Sequence, residues 1–243
     1  MDNSTEQLAE GVWRIEVAPF TNAYLLANNG RSDREGLTLI DAGTRRSGPR
    51  LVRSVRLLGV DPRSIRDLVL THWHADHTGS AARFATSSAG TRVHAGHADL
   101  AAVQGRLRRP QLAAPAGDVT WLGRLAGRFM APGPAVAEAD GLDDDTALAW
   151  APHVRVIASP GHTPGHLSLH LPAQGVLIAG DAVCTIGRLN RLLPAVRSAR
   201  SQEATTLDRL AALDFDILAV GHGPPVVSGA RRRLEALAAR AAR

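Results

Sequence analysis

The chain has 243 residues, of which 44% are hydrophobic and 21% charged, and this size and composition are typical of a globular protein with one substantial core. All 28 basic residues are arginine, and they are spread along the chain instead of forming one dense run with interleaved aromatic residues, which argues against nucleic-acid binding. No apolar run approaches the roughly 18 residues that a membrane span requires, so we expect no membrane-spanning segment.

Two further features bear on the cellular location. The segment MDNSTEQLAE at the start is polar and acidic, and it lacks the apolar centre of a signal peptide. Cys184 is the only cysteine, which excludes an internal disulfide and is compatible with a reducing compartment. We therefore expect a cytoplasmic protein that folds as a single domain over residues 1–243, and the sequence leaves its oligomeric state open.

The first part of the chain predicts strands and helices in alternation. Segments rich in β-forming residues and bounded by Gly, Asn or Pro predict strands at GVWRIEV, NAYLLAN, GLTLIDAG, IRDLVLTH and TRVHAG. A helix is predicted in GPRLVRSVRLLGV because Leu51, Val55 and Leu58 recur at helical spacing. A second helix is predicted in SAARFATSSA, with Ser80 as its cap.

The middle of the chain is less regular. At about residues 104–140, prolines interrupt apolar stretches that contain Trp121, Phe129 and Met130, and we interpret this part as a candidate substrate-covering segment. Asp143, Asp144 and Asp145 follow and predict a polar turn.

The last part of the chain returns to strands and helices. Strands are predicted in TALAWAPHVRVIASP, HLSLHLPA, GVLIAGDAV and DILAVGHG, and helices in SQEATTLDRLAALD and ARRRLEALAARAAR. Leu234 and Leu237 would form the apolar face of the last helix. Two batches of strands, each with its own helices, predict two sheets packed face to face with helices outside.

The segment THWHADHTG, residues 71–79, concentrates metal-binding side chains at the end of a predicted strand. His72 and His74 are two residues apart, so their side chains point the same way and can bind one metal ion. Asp76 and His77 follow in the loop and could turn toward a second ion. Imidazole and carboxylate ligands suit Zn²⁺, and Fe or Mn would also fit.

Four residues in one loop cannot surround two ions, so further ligands must come from elsewhere. Three later predicted strands each end at a residue of the right type. His162 lies in the turn SPGHTPGH, Asp181 follows VLIAG, and His222 follows DILAVG.

Together these motifs, His-x-His-x-Asp-His, Gly-His-Thr-Pro-Gly-His, Gly-Asp and Gly-His-Gly, resemble the metallo-β-lactamase superfamily, in family order from Asp41 to His222. The resemblance implies an α/β (α+β) fold, a four-layer αββα sandwich with its metals at one edge of the sheets. It implies two divalent metal ions per chain, with Zn²⁺ expected. The first would be held by His72, His74 and His162, the second by Asp76, His77 and His222, and Asp181 would bridge them. Asp41 would orient a ligand histidine, and His166 would support the centre without binding metal.

The resemblance and the ligand set predict a dinuclear metal hydrolase. A metal-bridging hydroxide would cleave an ester, thioester, lactone or similar acyl bond of a small molecule. Asp76 would also be catalytic, by accepting a hydrogen bond from the hydroxide. The remaining histidines, His94, His97, His153 and His170, are expected to be structural, and Cys184 is expected to be a small buried apolar residue.

Several related activities are less favoured. Asp181 replaces the cysteine ligand of one β-lactamase branch, and the segment after His222 is short for the glutathione-binding region of glyoxalase II. Homoserine-lactone lactonases use a tyrosine shortly after the bridging aspartate, whereas the only tyrosine here is Tyr24. Two alternatives outside acyl hydrolysis stay open: a mononuclear iron persulfide dioxygenase that uses part of the ligand set and, less favoured, a metal-dependent nuclease.

Overall fold

The computed structural model describes residues 5–28, 36–87, 90–107, 131–192 and 200–241. Within them, the first sheet has seven strands that lie side by side in chain order: β1 (Thr5–Ala9), β2 (Val12–Ala18), β3 (Thr21–Ala27), β4 (Leu37–Ile40), β5 (Ile65–Leu70), β6 (Arg92–Gly96) and β7 (Asp140–Leu142). The pairings from β1 to β4 are antiparallel and those from β4 to β7 are parallel.

The second sheet contains five described strands in the order β12, β11, β10, β9, β8. They are β8 (Thr146–Leu148), β9 (Ala151–Ala158), β10 (Leu167–Leu171), β11 (Val176–Ile178) and β12 (Ile217–Ala219). β11 and β12 pair in parallel, whereas the other neighbours are antiparallel. Because β10 is antiparallel to both β9 and β11, strands β9, β11 and β12 run in the same direction and end at the same edge.

Six helices are described, and all except α2 pack on the outer faces of the two sheets. They are α1 (Gly48–Leu57), α2 (Ala75–Thr78), α3 (Ala81–Ala85), α4 (His97–Val103), α5 (Arg200–Ala211) and α6 (Ala230–Ala241), with single 3₁₀ turns at Pro62–Ser64, Pro172–Gln174 and Gly180–Ala182. Within the described residues, none of these helices has the length and apolar character needed to cross a bilayer.

Strand β5 shows how the sequence produces the layers. Leu68 and Leu70 belong to the core beneath α1, α3 and α4, whereas Val69 points the other way, into the core between the sheets. This alternation follows from the two-residue period of a strand, and burial of both faces explains why the last three residues of β5 are all apolar. On the far side, Leu207 of α5 and Leu234 of α6 pack on the second sheet. The predicted four-layer αββα sandwich is therefore confirmed.

Some predicted elements differ in detail. The long strand predicted at residues 146–160 is a hairpin of β8 and β9. At this turn Trp150 stacks on the His94 ring, with centroids 4.2 Å apart, and donates its indole N–H to Thr38. Ser80 precedes α3 but does not cap it, since its hydroxyl donates to the Thr44 carbonyl at 2.7 Å.

The segment predicted to cover the substrate is described only at its two ends. Residues 108–130, including Trp121, Phe129 and Met130, lie outside the described residues. After them, the backbone of Pro132 bridges to that of His74, and Val136 and Ala139 join the core beneath the first sheet. The polar turn predicted at residues 143–145 is present and connects β7 of the first sheet to β8 of the second.

Candidate metal centre

The candidate ligands lie at one edge of the sandwich because several strands end there. Parallel strands β4 and β5 deliver Asp41 and the loop from His72 to His77. In the second sheet, β9, β11 and β12 share a direction, so the residues after their carboxyl ends come together. Those residues are His162, Asp181 and His222.

Three histidine nitrogens meet at the first position. His72 Nε2 lies 3.0 Å from His74 Nδ1, and His162 Nε2 lies 3.1 Å from the first and 2.8 Å from the second. All three side chains are buried. A ring nitrogen is either a donor or an acceptor at one time, so at least one of these contacts joins two like groups. A cation that accepts a lone pair from each nitrogen would remove this conflict.

A second group forms beside the first. His77 Nε2 and His222 Nε2 are 3.3 Å apart, and Asp76 Oδ2 lies 3.3 Å from the His222 nitrogen and 3.9 Å from the His77 nitrogen. The three donor atoms are close enough to share one ion. Asp76 lies at the start of the short helix α2, one residue before His77, so this helix presents both side chains together.

Asp181 lies between the two groups. Its Oδ2 is 3.5 Å from His162 Nε2 and 3.3 Å from His222 Nε2, and its Oδ1 is 3.5 Å from His77 Nε2. Oδ1 is buried and accepts no hydrogen bond from any described residue. A buried carboxylate oxygen without a donor is costly, and it fits a position that a cation would occupy. The nitrogen and oxygen donor set suits Zn²⁺, Fe or Mn better than the hard cations Ca²⁺ and Mg²⁺.

The negative charge of the surrounding carboxylates also favours a bound cation at the second group, formed by Asp76, His77 and His222. Burial lowers the pKa of His77, but the carboxylates of Asp181, Asp41 and Asp76 outweigh it and raise that pKa to about 9. Burial likewise opposes protonation of His222, but Asp181 and Asp76 raise its pKa to about 11. Burial would keep Asp181 neutral, but nearby His222 and His77 hold its pKa well below the ordinary value.

By contrast, the three imidazole rings of the first group, His72, His74 and His162, are kept neutral. Burial is the largest cause that lowers the pKa of His74 to about 4, and it lowers the pKa of His72 and His162 well below the ordinary value. Neutral imidazole is the form that binds a metal, so these rings are ready to act as ligands at pH 7.

Asp41 orients His77 from outside the cluster. Its Oδ2 accepts a hydrogen bond from His77 Nδ1–H at 2.8 Å, and both carboxylate oxygens accept bonds from Thr71 at 2.8 Å. Asp41 has a positive φ of 60°, a conformation that aspartate tolerates better than most residues. The hydrogen bond confirms the prediction that this early aspartate orients a histidine, and it directs Nε2 of that ring toward the cluster.

His166 has both ring nitrogens engaged elsewhere. Its Nε2 accepts a hydrogen bond from the Asp181 backbone N–H at 2.9 Å, so the proton lies on Nδ1, which donates to Ser159 Oγ at 2.8 Å. Ser159 Oγ in turn contacts Ser168 Oγ at 2.7 Å. With its lone pair used by a backbone N–H, His166 is a supporting residue, as the sequence predicted, and it fixes the Asp181 backbone.

Asp99 was not anticipated from the sequence. This buried residue of α4 accepts hydrogen bonds from Thr163 Oγ1 at 2.6 Å and from the Gly165 N–H at 2.8 Å, and a further bond from the Trp73 backbone. It therefore joins the turn that carries His162 to the loop that carries His72 and His74. Burial raises the pKa of Asp99 to about 6, against the effect of these hydrogen bonds. No sequence signal pointed to Asp99, because its partners lie 64 and 66 positions away along the chain.

The other residues considered lie outside this cluster. Three of the four remaining histidines have partners of their own: Asp67 for His94, Asp143 for His97, and the Asp214 carbonyl for His170. His153 lies half-buried on β9. Cys184 is half-buried instead of fully buried, because its backbone pairs with Asn190 in a loop near the surface, and burial raises the pKa of its thiol.

Comparison with known proteins agrees with this geometry. A family model described as the metallo-beta-lactamase superfamily matches residues 18–222. The probable metallo-hydrolase YflN of Bacillus subtilis (strain 168) is 27% identical over 233 residues, which is 90% of this chain and 86% of that protein. The N-acyl homoserine lactonase AttM of Azorhizobium caulinodans is 28% identical over 200 residues, or 79% and 70% of the two chains. A metallo-beta-lactamase family protein from Thermus thermophilus has a TM-score of 0.68 at 27% identity, covering 95% of this chain and 79% of its own.

Proposed function

The chain belongs to the metallo-β-lactamase superfamily, and from that premise we propose that it is a metal-dependent hydrolase of an ester, thioester, lactone or similar acyl bond in a small molecule. One observation carries the proposal: seven histidine and aspartate side chains from four separate segments converge at one edge of the sandwich. The similarity to a probable metallo-hydrolase and to an N-acyl homoserine lactonase supports hydrolysis of an acyl bond.

We propose that the two groups hold two divalent ions, with zinc as the expected metal. The ligands would be His72, His74 and His162 for one ion, Asp76, His77 and His222 for the other, and Asp181 for both. When bound, the ions would supply a water of lowered pKa and polarise the carbonyl of the substrate.

The substrate would approach from the side of Asp76 and His222. Their side chains are 13% and 17% exposed, whereas that of Asp181 is only 2% exposed and those of His72 and His77 are fully buried. Burial would raise the pKa of Asp76, but His77 and His222 lower it below the ordinary value, so its carboxylate is ionised at pH 7. As an ionised carboxylate, Asp76 would accept a hydrogen bond from the attacking water or hydroxide and orient it toward the substrate carbonyl.

The test is hydrolysis of a panel of p-nitrophenyl esters, thioesters, lactones and a β-lactam by the zinc-loaded protein. We expect acyl hydrolysis that is lost on chelation and restored by zinc. His74→Ala and Asp181→Ala should lower kcat/KM by on the order of a hundredfold or more, because each removes a ligand. His97→Ala is the matched control, since this exposed histidine pairs with the exposed Asp143 in the described part of the chain, away from the cluster, and it should keep full activity.

Several outcomes would contradict the proposal. Full activity in Asp181→Ala would remove the proposed bridging role. One iron per chain with oxygen-dependent turnover would indicate a persulfide dioxygenase instead. Salt-sensitive RNA binding by the metal-free protein would favour a nuclease, because phosphate contacts weaken strongly with added salt. The small-molecule substrate, the absence of a nucleic-acid partner and the cytoplasmic location stay predictions.

A further inference from the structure

A cavity of about 490 Å³ opens directly beside Asp76. One wall is the loop after β4, the floor is α2 and the residue after it, and the other wall is the segment that follows the undescribed residues. The lining residues are Thr44, Arg45, Ala75, Asp76, Gly79, Pro132, Gly133 and Pro134. Apart from Asp76, Arg45 is the only charged residue of this lining.

The backbone of Arg45 is fixed relative to Asp76. The loop that carries it is tied to α2 on both sides: Ala42 N–H donates to the His77 carbonyl at 2.7 Å, and Gly79 N–H donates to the Gly43 carbonyl at 2.8 Å. The packing is so close that a Cβ at Gly79 would lie 2.3 Å from the Arg45 nitrogen. The backbone of Arg45 is therefore held at a fixed distance from the proposed reacting centre. Its side chain is exposed.

The charge of Arg45 is available to a ligand. Among the described residues, no carboxylate lies within ion-pair distance of its guanidinium, and Arg45 is the one arginine in the lining of this cavity. The Asp76 carboxylate faces His222 instead. A guanidinium with no acidic partner, beside a cavity whose lining apart from Asp76 is otherwise uncharged, suits a planar anion.

We propose that this cavity is an acyl-group subsite and that Arg45 binds an anionic group, such as a carboxylate, at the end of the substrate distant from the bond that is cleaved. This inference rests on the proposed hydrolase function, because Asp76 marks where the bond would lie. It narrows the substrate class to acyl compounds that carry a second, negatively charged group.

Two probe esters isolate the terminal charge. 4-Nitrophenyl hexanoate and the mono-4-nitrophenyl ester of adipic acid share chain length, scissile bond and leaving group, and differ in a terminal methyl against a carboxylate. We expect the zinc-loaded wild type to prefer the adipate ester. Arg45→Met should lower the ratio of kcat/KM for the adipate ester over kcat/KM for the hexanoate by about five- to tenfold, the range for a partly exposed charge-assisted contact. Arg46→Met is the matched control, because Arg46 is an exposed neighbour that does not line the cavity, and it should keep the preference.

A binding measurement separates this inference from the proposed function. Titration calorimetry would compare adipate with hexanoate on the wild type and on Arg45→Met, with and without added zinc. Tighter binding of adipate that disappears in Arg45→Met supports the subsite, even for a protein that cleaves neither ester. Equal preference in wild type and Arg45→Met, or no preference in the wild type, would overturn the subsite and leave acyl hydrolysis standing.

Discussion

At the scale of single residues, the candidate metal centre combines side chains that would bind metal ions with side chains that fix the position of those ligands. Asp41 and His166 each use hydrogen bonds to fix one neighbour, His77 in the first case and the Asp181 backbone in the second. Asp99 acts on two segments at once, since its carboxylate accepts bonds from both histidine-bearing loops. Because the Asp99 carboxylate is buried, its contribution to the free energy of unfolding should depend measurably on pH.

The stability contribution of Asp99 should fall as pH rises. Burial raises the folded-state pKa to about 6 from the ordinary 3.8, so between these values the folded protein binds more protons than the unfolded chain. Asp99 therefore stabilises most below about pH 4, and that stabilisation, on the order of 2–3 kcal/mol, is lost as pH rises through 6. Urea unfolding of the metal-free wild type and Asp99→Asn from pH 4 to 7 measures it. The candidate ligand histidines titrate in both proteins, so the difference in unfolding free energy between wild type and Asp99→Asn reports on Asp99. A difference that does not change with pH would refute this assignment.

Residue-level patterns identified the candidate ligands but not the residues that hold them in place. His72, His74, Asp76 and His77 lie within one short motif, so their spacing alone was informative. Asp99 and Arg45 could not be predicted in this way. Asp99 meets partners 64 and 66 positions away, and the availability of Arg45 is visible only once the surrounding acids are located.

At the scale of elements, close backbone contacts hold the loops in register. Gly96 ends β6 at the point where the turn bearing His162 crosses it, and a Cβ on Gly96 would lie 2.1 Å from the Gly165 carbonyl oxygen. Its backbone, with φ −64° and ψ 140°, is one that any residue adopts, so the need for glycine here is purely one of space.

Gly96→Ala should therefore destabilise the protein and displace the His162 turn. Overpacking of this kind costs about 1–3 kcal/mol, and the same shift should weaken zinc binding. Thermal unfolding and a zinc competition assay measure the two effects. Gly48→Ala is the control, because its Cβ would meet the flexible Arg83 side chain at 2.9 Å and the Ser80 hydroxyl at 3.3 Å but no backbone atom this closely, and it should change stability little. Unchanged zinc affinity in a destabilised Gly96→Ala would show that the contact supports the fold without supporting the centre.

Elements with strong apolar patterns were predicted well, and weakly patterned ones were not. β5, α1 and α6 present clear apolar faces and were found where predicted. β1 is a partly exposed edge strand with polar residues, and β7 has only three residues, so neither has a usable alternation. Edge and very short strands depend on pairing with a neighbour that the local sequence does not specify.

At the scale of the whole molecule, the centre joins the two sheets at one edge. The first sheet supplies His72, His74, Asp76 and His77, and the second supplies His162, Asp181 and His222. Ions held by both sets would therefore cross-link the two halves of the sandwich. The single domain predicted over residues 1–243 stays a prediction, as does the covering role of the segment at about residues 104–140.

Metal removal should lower the stability of the whole fold. A ligand that binds only the folded state stabilises it in proportion to the logarithm of the ratio of ligand concentration to Kd. This stabilisation is about 4 kcal/mol when the free ligand concentration is a thousand times Kd. Calorimetry should thus show a Tm that falls on chelation and recovers with zinc. In Asp181→Ala the response to zinc should shrink, whereas in Asp143→Ala, which changes an exposed turn residue, it should match the wild type. An identical Tm with and without metal in the wild type would contradict the cross-linking role.

The most direct test of the metal centre is the metal content of the purified chain. After loading with zinc and desalting, elemental analysis should give about two zinc ions per wild-type chain, as expected for a dinuclear hydrolytic site, and clearly fewer for Asp181→Ala. A folded wild-type chain that retains no zinc, iron or manganese would contradict the account.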